Sequence, residues 1–242
     1  VFLINDDGIL LNPKLDSFEA RSEALIETNE RLFEQGIIKR RPTPENYAVS
    51  GVRREDAFCV IDRAAAPHYG IRAYGQHLNG YIRQGGRIKM WVGVRALDKP
   101  NEPGKLDQIV AGGLPWPLSE EENLIKECDE EANISSELAR QAKPVGYVSY
   151  RSEIAEGAKP DTMLCYDLEL PEDFIPQCND GEVERFELMD IEEVAERVRE
   201  SEDFKINCNL VIIDFLIRHA FLTPADAGFD LIVSSLRSLR NT

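Results

Sequence analysis

Cysteine is sparse and unpaired in this chain of 242 residues. Its five cysteines, Cys59, Cys128, Cys165, Cys178 and Cys208, are odd in number and scattered, with no Cys-x-x-Cys pair. That pattern argues against a disulfide framework and predicts reduced thiols in a cytoplasmic protein. No run approaches the roughly 18 apolar residues of a membrane span, so no membrane partner is expected. The three histidines, His68, His77 and His219, have no ligand spacing, which predicts structural histidines in place of a zinc site. Gly-rich phosphate loops, dinucleotide fingerprints and Gly-x-Ser-x-Gly elbows are all absent, as are repeats and low-complexity tracts. Positive charge is also short. Against 44 Asp and Glu stand 28 Lys and Arg, a formal net charge of −16. Nucleic-acid binding rests on neutralising phosphates with Lys and Arg, so no nucleic-acid partner is expected. A small anionic ligand is not excluded, because a bound cation or a local basic patch reverses the sign at one site. The chain opens at Val1 with no signal-like segment following, and its start is read as a cut edge.

What is present suits a folded protein. The length fits one sizeable domain, alone or with a smaller appendage, and 43% hydrophobic residues are ample for a core. The apolar pattern predicts a helix from Ser17 to Gln35, stopped at Gly36, and short strands around Tyr47–Val49 and Ala57–Ile61. Strands follow at Ile71–Arg83 and Arg87–Arg95 about a Gln84-Gly85-Gly86 turn, then at Leu106–Ala111. After Gly112-Gly113 comes a helix from Glu120 to Ala132. Further strands are expected at Pro144–Tyr150, Thr162–Leu170 and Val183–Leu188, and helices at Ile191–Glu200, Asn207–Phe221 and Leu231–Leu239. In the second of these helices Leu210, Ile213, Leu216 and Ile217 make either core or the face of a homodimer. This order of elements predicts an α+β protein, an α/β/α sandwich.

The Glu120–Ala132 segment carries the chemistry. Ser119 followed by Glu122 forms a capping box that starts the helix. At 100° per residue, Glu127, Glu130 and Glu131 share one sector, and Glu120 and Asn123 extend that face toward the start. Ile125, Cys128 and Ala132 fall on another side, toward a core. Three carboxylates on one half-buried stripe repel each other, and a hard cation with oxygen ligands such as Mg²⁺ relieves that repulsion. Spacing alone leaves open a second reading, in which a capped acidic helix is a solvated face. Gly112 and Gly113 at the end of the preceding strand allow close approach of backbone to a ligand.

The segment from Ala111 to Ile134 resembles the Nudix box, G-x5-E-x7-R-E-U-x-E-E-x-G-U, where U is bulky and apolar. Gly112 takes the first glycine, Lys126 to Glu131 take the R-E-U-x-E-E core, and Ile134 the last U. Leu118 stands where the first Glu belongs, Lys126 replaces Arg and Asn133 replaces Gly. Asn is the next choice after Gly for a left-handed helix end, and Lys keeps the charge of Arg without its bidentate fork. Glu120 is the neighbouring carboxylate that could stand in for Leu118. The stretches 63–81, 103–113 and 165–173 resemble, more narrowly, the Nudix domain associated with fungal thiamine pyrophosphokinases, whose members carry an additional N-terminal region.

The resemblance implies a Nudix fold with a mixed β-sheet, divided as an N-terminal α/β extension (1–70), a Nudix hydrolase domain (71–225) and a C-terminal helical tail (226–242). It implies Mg²⁺ or Mn²⁺ held by Glu127, Glu130 and Glu131, and hydrolysis of a small-molecule diphosphate, with damaged (oxo or oxy) thiamine diphosphate as the substrate of the subgroup. Oxidised nucleotides or ADP-ribose are the alternative substrates, and a non-catalytic nucleotide or coenzyme sensor is the alternative function. Catalytic roles fall to Glu127, Glu130 and a glutamate of the downstream pair Glu182 and Glu184, of which Glu184 is preferred. That region also reads as a polar loop before a strand. Between Arg83 and Lys105 the charge turns basic, and Arg95 and Lys105 are the preferred phosphate contacts, beside the backbone of Gly112 and Gly113. Trp116 is the preferred stacking surface for a heteroaromatic ring.

Overall fold

The computed structural model describes residues 1–6, 8–51, 53–99 and 101–237. They form two compact units. The first comprises residues 1–74, 114–118 and 151–161, and the second 75–113, 119–150 and 162 onward. Both are discontinuous, unlike the three consecutive segments expected from the sequence.

In the first unit, β1 (Phe2–Asn5) and β2 (Gly8–Leu11) form an antiparallel hairpin outside the expected elements. Helix α1 (Phe18–Glu34) is capped by Ser17, whose side chain accepts from the Ala20 N–H at 3.0 Å. Strands β3 (Asn46–Val49) and β4 (Cys59–Asp62) pair antiparallel with Tyr47 opposite Ile61. Tyr47 and Ile61 join Ile38, Ala65 and Ala66 in this unit's core.

The second unit is built on a seven-stranded sheet. Its strands are β5 (Ala73–Gln84), β6 (Arg87–Arg95), β7 (Leu106–Gln108), β8 (Val110–Gly113), β9 (Lys143–Ile154), β10 (Gly157–Glu169) and β11 (Val183–Asp190). The order is β11-β6-β5-β10-β9, with β7 beside β6 and β8 beside β5. The expected strand Leu106–Ala111 is thus two strands. Val92 lies opposite Gln108, whereas Leu78 lies opposite Val110, so the chain changes partner at the buried Ile109. Alternation along the strands sends side chains to two faces. On one face Ile88, Met90, Val92 and Val94 pack with α4 (Ile191–Glu200) and α5 (Ile206–Arg218) through Val194, Ile212 and Phe215. On the other, Leu78, Ile82, Leu168 and Leu170 pack with α2 (Glu120–Ala132) and α3 (Ser136–Ala139) through Leu124, Cys128 and Ala139. Helices on both faces give the α/β/α sandwich that the order of elements predicts.

Leu210, Ile213, Leu216 and Ile217 of α5 all pack into core clusters of this unit, so between core and dimer face they are core. Helix α6 (Phe229–Leu236) buries Leu236 against Val148, Met163, Cys165 and Val211, and therefore belongs to the second unit and is not a separate tail. Ser238 and Leu239, at the end of the helix expected there, lie outside the described residues. No helix among the described residues is long and apolar enough to cross a membrane.

Candidate functional site

Local chemistry fixes both ends of α2. The Ser119 side chain accepts from the Glu122 N–H at 3.2 Å, while the Glu122 carboxylate accepts from the Ser119 N–H at 2.9 Å. Two otherwise unpaired donors are satisfied at once. Asn133 ends the helix in the left-handed region at φ 53°, the role that Gly takes in the box. Between these ends the carboxylate stripe turns toward β8. Glu131 is 5% exposed, and its Oε2 accepts from the Ala111 N–H at 2.8 Å. The Glu127 side chain, 14% exposed, lies against Gly112 so closely that a Cβ there would stand 2.5 Å from its carboxyl carbon. Gly112 is therefore required by a close approach. Glu130 is the outermost of the three, 41% exposed, with the Lys126 ammonium donating to it at 2.6 Å and to Glu127 at 3.2 Å.

A fourth carboxylate arrives from the segment before β11. Asn179 straps that segment to the end of α2, its N–H donating to the Glu130 carbonyl at 2.9 Å and its side-chain amide to the Asp129 carbonyl at 2.8 Å. The Cys178 sulfur then accepts from the N–H groups of Gly181 and Val183 at 3.2 and 3.3 Å, closing a tight turn. The turn delivers Glu182 to a cavity lined also by Glu131, Ala111, Gly93, Arg95 and Asp107. Lys99 pairs with Glu182 at 2.5 Å. Glu184 sits elsewhere. Val183 is opposite Arg95 and Arg185 opposite Val94, so β11 carries one extra residue, and Glu184 is left exposed on that bulge. Of the downstream pair, the structure brings Glu182 to the stripe and does not bring Glu184.

The other expected contacts divide. Arg95 lines the cavity, but its guanidinium is already engaged with buried Asp107 at 2.8 Å and with the Asn101 carbonyl. Lys105 donates to the Glu202 carbonyl at 2.6 Å and is not among the cavity's lining residues. Gly112 and Gly113 lie opposite Gln76 and Gly75 on β5. Trp116 belongs to the first unit, where its ring lies 5.7 Å from that of Phe18. Glu120 accepts from the Tyr166 hydroxyl at 3.1 Å.

Another group of ligand types, His77, Asp107 and Cys208, lies buried with ligand atoms within 4.8 Å of one another. It is a poor cation site, because Asp107 already has Arg95 at 2.8 Å and Lys205 at 3.5 Å as countercharges. The Cys208 thiol donates to Asp107 at 2.8 Å, and His77 Nδ1 is 2.7 Å from the Gln108 side-chain oxygen. The acidic stripe has the opposite balance. Burial, then the charge of Glu127, pushes the Glu131 carboxyl well above the ordinary carboxylate range, with Glu182 adding to the shift. Burial also raises Glu127, partly offset by Lys126, while Glu130 and Glu182 raise it further. Burial lowers Lys126, but its bonds to Glu130 and Glu127 prevail and hold it at about 12. One ammonium thus faces several carboxylates at a strand where glycine leaves room, and this oxygen-rich, net-negative set fits a hard divalent cation.

The raised carboxyls have a consequence for stability. A folded-state pKa above the unfolded value means that the unfolded chain releases its proton first as pH rises. In the metal-free protein the contribution of these two carboxyls to stability therefore falls from the ordinary carboxylate range up to the raised value, then levels off. Glu131→Gln keeps an acceptor for the Ala111 N–H and removes this penalty. Its thermal midpoint in chelator is expected to exceed that of the native chain at pH 8 and to match it near pH 4. Identical pH profiles for the two proteins would contradict the assignment.

Comparison with known proteins finds relatives for the chain. A family model described as a domain of unknown function (DUF4743) matches residues 1–73. Two Arabidopsis thaliana proteins, "Nudix hydrolase 20, chloroplastic" and "Nudix hydrolase 24, chloroplastic", are 44% and 45% identical over 233 residues, 96% of this chain. The chain spans 62% and 63% of their respective lengths. Among solved structures, DR0079 from Deinococcus radiodurans matches with a TM-score of 0.54 and 19% identity over 70% of this chain and 98% of that one, a likeness of fold. The alignments run over nearly all of the chain, the box-bearing helix and its glycine strand included, and make it a relative of proteins named Nudix hydrolases.

Proposed function

We propose that the protein is a metal-dependent hydrolase of a diphosphate linkage in a small organic molecule, with Glu127, Glu130 and Glu131 holding Mg²⁺ or Mn²⁺. The observation that carries this reading is the convergence of Glu182 with the box glutamates against the glycine strand. A divalent ion bound there supplies Lewis acidity toward the diphosphate and the attacking water. Glu127 and Glu131, packed against Gly112 and Ala111, fix where that charge sits. In this reading Glu182, in place of Glu184, takes the proton of the water. Its support is that Glu182 lines the cavity with Glu131 while the bulge leaves Glu184 exposed. Gly112 gives its side-chain space to the Glu127 carboxylate, which sets the backbone of Gly112 and Gly113 beside the charge that would hold the diphosphate. Arg95 contributes positive potential at the cavity through a guanidinium held still by Asp107. The five free cysteines suit a reducing compartment such as the cytoplasm, while the two Arabidopsis relatives are named chloroplastic.

For the substrate, the resemblance of residues 63–81, 103–113 and 165–173 to the thiamine-associated subgroup supports a damaged thiamine diphosphate, converted to the monophosphate. The test is product analysis with oxythiamine diphosphate, thiamine diphosphate, ADP-ribose and 8-oxo-dGTP in Mg²⁺ and in Mn²⁺, native chain beside Glu130→Gln. The thiamine analogue is expected to turn over fastest, and Glu130→Gln to slow it by about 10²-fold. Faster turnover of another member of the panel keeps the hydrolase and replaces the substrate. Binding without turnover, with the protein folded and metal present, replaces the hydrolase by a sensor.

A further inference from the structure

In the box of this chain Leu118 offers no carboxylate and Lys126 no bidentate fork. Lys126 directs its ammonium to Glu130 and Glu127 on its own helix. At the end of α2 the sheet is tied through Glu131 and the Ala111 N–H; toward its start the tie is made by two amides. Asn123, one turn before Glu127 and 0% exposed, donates to the Gln76 side-chain oxygen on β5 at 2.8 Å and to the Gly113 carbonyl on β8 at 2.9 Å. Gln76, also buried, donates to the Glu120 carbonyl in the first turn of α2 at 2.8 Å and to the Tyr166 hydroxyl on β10 at 3.2 Å. Tyr166 in turn donates to the Glu120 carboxylate at 3.1 Å.

This chain of bonds fixes both the height and the rotation of α2. Gln76 lies directly opposite Gly112 in the β5–β8 register, and Gly112 is the residue against which Glu127 is pressed. One amide therefore bonds the helix that carries Glu127 and, through its own backbone, faces the strand that receives it. The arrangement has a cost. The Asn123 Oδ1 is buried without a hydrogen-bond partner, which counts against stability. An apolar pair at these two positions would avoid that cost.

We propose that Gln76 and Asn123 are positioning residues that set the carboxylate stripe of α2 over Gly112–Gly113, and so determine the affinity of the site for its divalent ion. The proposal rests on the metal-dependent reading above. Its test is Mn²⁺ titration of the full chain followed by electron paramagnetic resonance, with thermal unfolding in chelator run alongside. Glu127→Gln comes first. Loss of Mn²⁺ binding there establishes the stripe as the site, and its absence in the native chain brings down the metal reading itself. With that site established, Gln76→Leu combined with Asn123→Leu is expected to weaken Mn²⁺ at least about tenfold, the effect of losing groups that orient ligands. The bond between the two amides is replaced by apolar groups of similar shape, but those to Gly113, Glu120 and Tyr166 lose one partner each. The thermal midpoint is therefore expected to fall by several degrees with the chain still folded. The Mn²⁺ concentration for half-maximal hydrolysis should move with the binding constant, further than kcat moves. Unchanged Mn²⁺ affinity in the folded double variant overturns the proposal. If that variant does not fold, Tyr166→Phe and Asn123→Asp decide. About threefold weakening in each supports the proposal, and native affinity in both overturns it.

Discussion

Glu127→Gln is expected to abolish Mn²⁺ binding at α2 and to lower kcat/KM by about 10³-fold, or about 4 kcal/mol of transition-state stabilisation. The amide keeps the shape of the side chain and removes its charge. Glu127 is the box carboxylate in contact with Gly112, it is largely buried, and its ionisation is coupled to those of Glu130, Glu131 and Glu182. Its loss leaves Lys126 paired with Glu130 alone and the stripe less negative on the side facing the strand. Fluorescence-monitored unfolding should show a folded protein, because burying an amide is less costly than burying a carboxylate. Native rates in Mg²⁺ from this variant would remove Glu127 from the mechanism.

Gly112→Ala is expected to separate activity from stability. The added Cβ would stand 2.5 Å from the Glu127 carboxyl carbon and from one of its oxygens, and 2.9 Å from its Cγ. What must yield is the end of a long side chain and not the backbone, so the cost in stability should remain about 1 kcal/mol, the low end for overpacking. The carboxylate, though, is displaced from the position that the site needs, and misplacement by about 1 Å costs on the order of 10²-fold in rate. Kinetics and calorimetry on the same preparation check both halves. A variant that lost several kcal/mol, or one that retained full activity, would show that Glu127 does not depend on this contact.

How much of this was legible in the sequence depended on whether the cause was local. Helix α2 could be read to the residue because Ser119, Glu122 and Asn133 act on the backbone next to them, and the glutamate spacing fixes a common face whatever surrounds it. The strands on either side of Gln84-Gly85-Gly86 could be read from their period. That Arg95, a preferred phosphate contact, is paired with Asp107 could not be read, because Asp107 is brought to it only when β7 pairs with β6. Leu106–Ala111 gave no sign of its division, since exchanging β6 for β5 as partner leaves an unbroken apolar run. The face shared by Asn123 and Glu127 was visible, but not the amide opposite, which lies 47 residues away in sequence. Glu182 and Glu184 looked equivalent, because both are glutamates two positions apart ahead of a strand.

Their difference is a matter of counting. Phe186 and Leu188 belong to the face of the sheet that packs with α2, and by simple alternation Glu184 would join them. The extra residue resets the phase, so that Val183 shares that face instead; the space above Gly93 is bounded by Val183 and Phe186 together. The carboxylate next to Val183 is thereby brought to the carboxylate stripe of α2, at an offset from β11 that an unbulged ladder would not produce. Alignments within this family that score the acidic position column by column will go astray wherever a relative has gained or lost that single residue. The position comparable to Glu182 in such a relative is found by tracing strand register from the α2-facing aromatic backward, and a one-codon insertion or deletion there relocates that carboxylate without altering any glutamate.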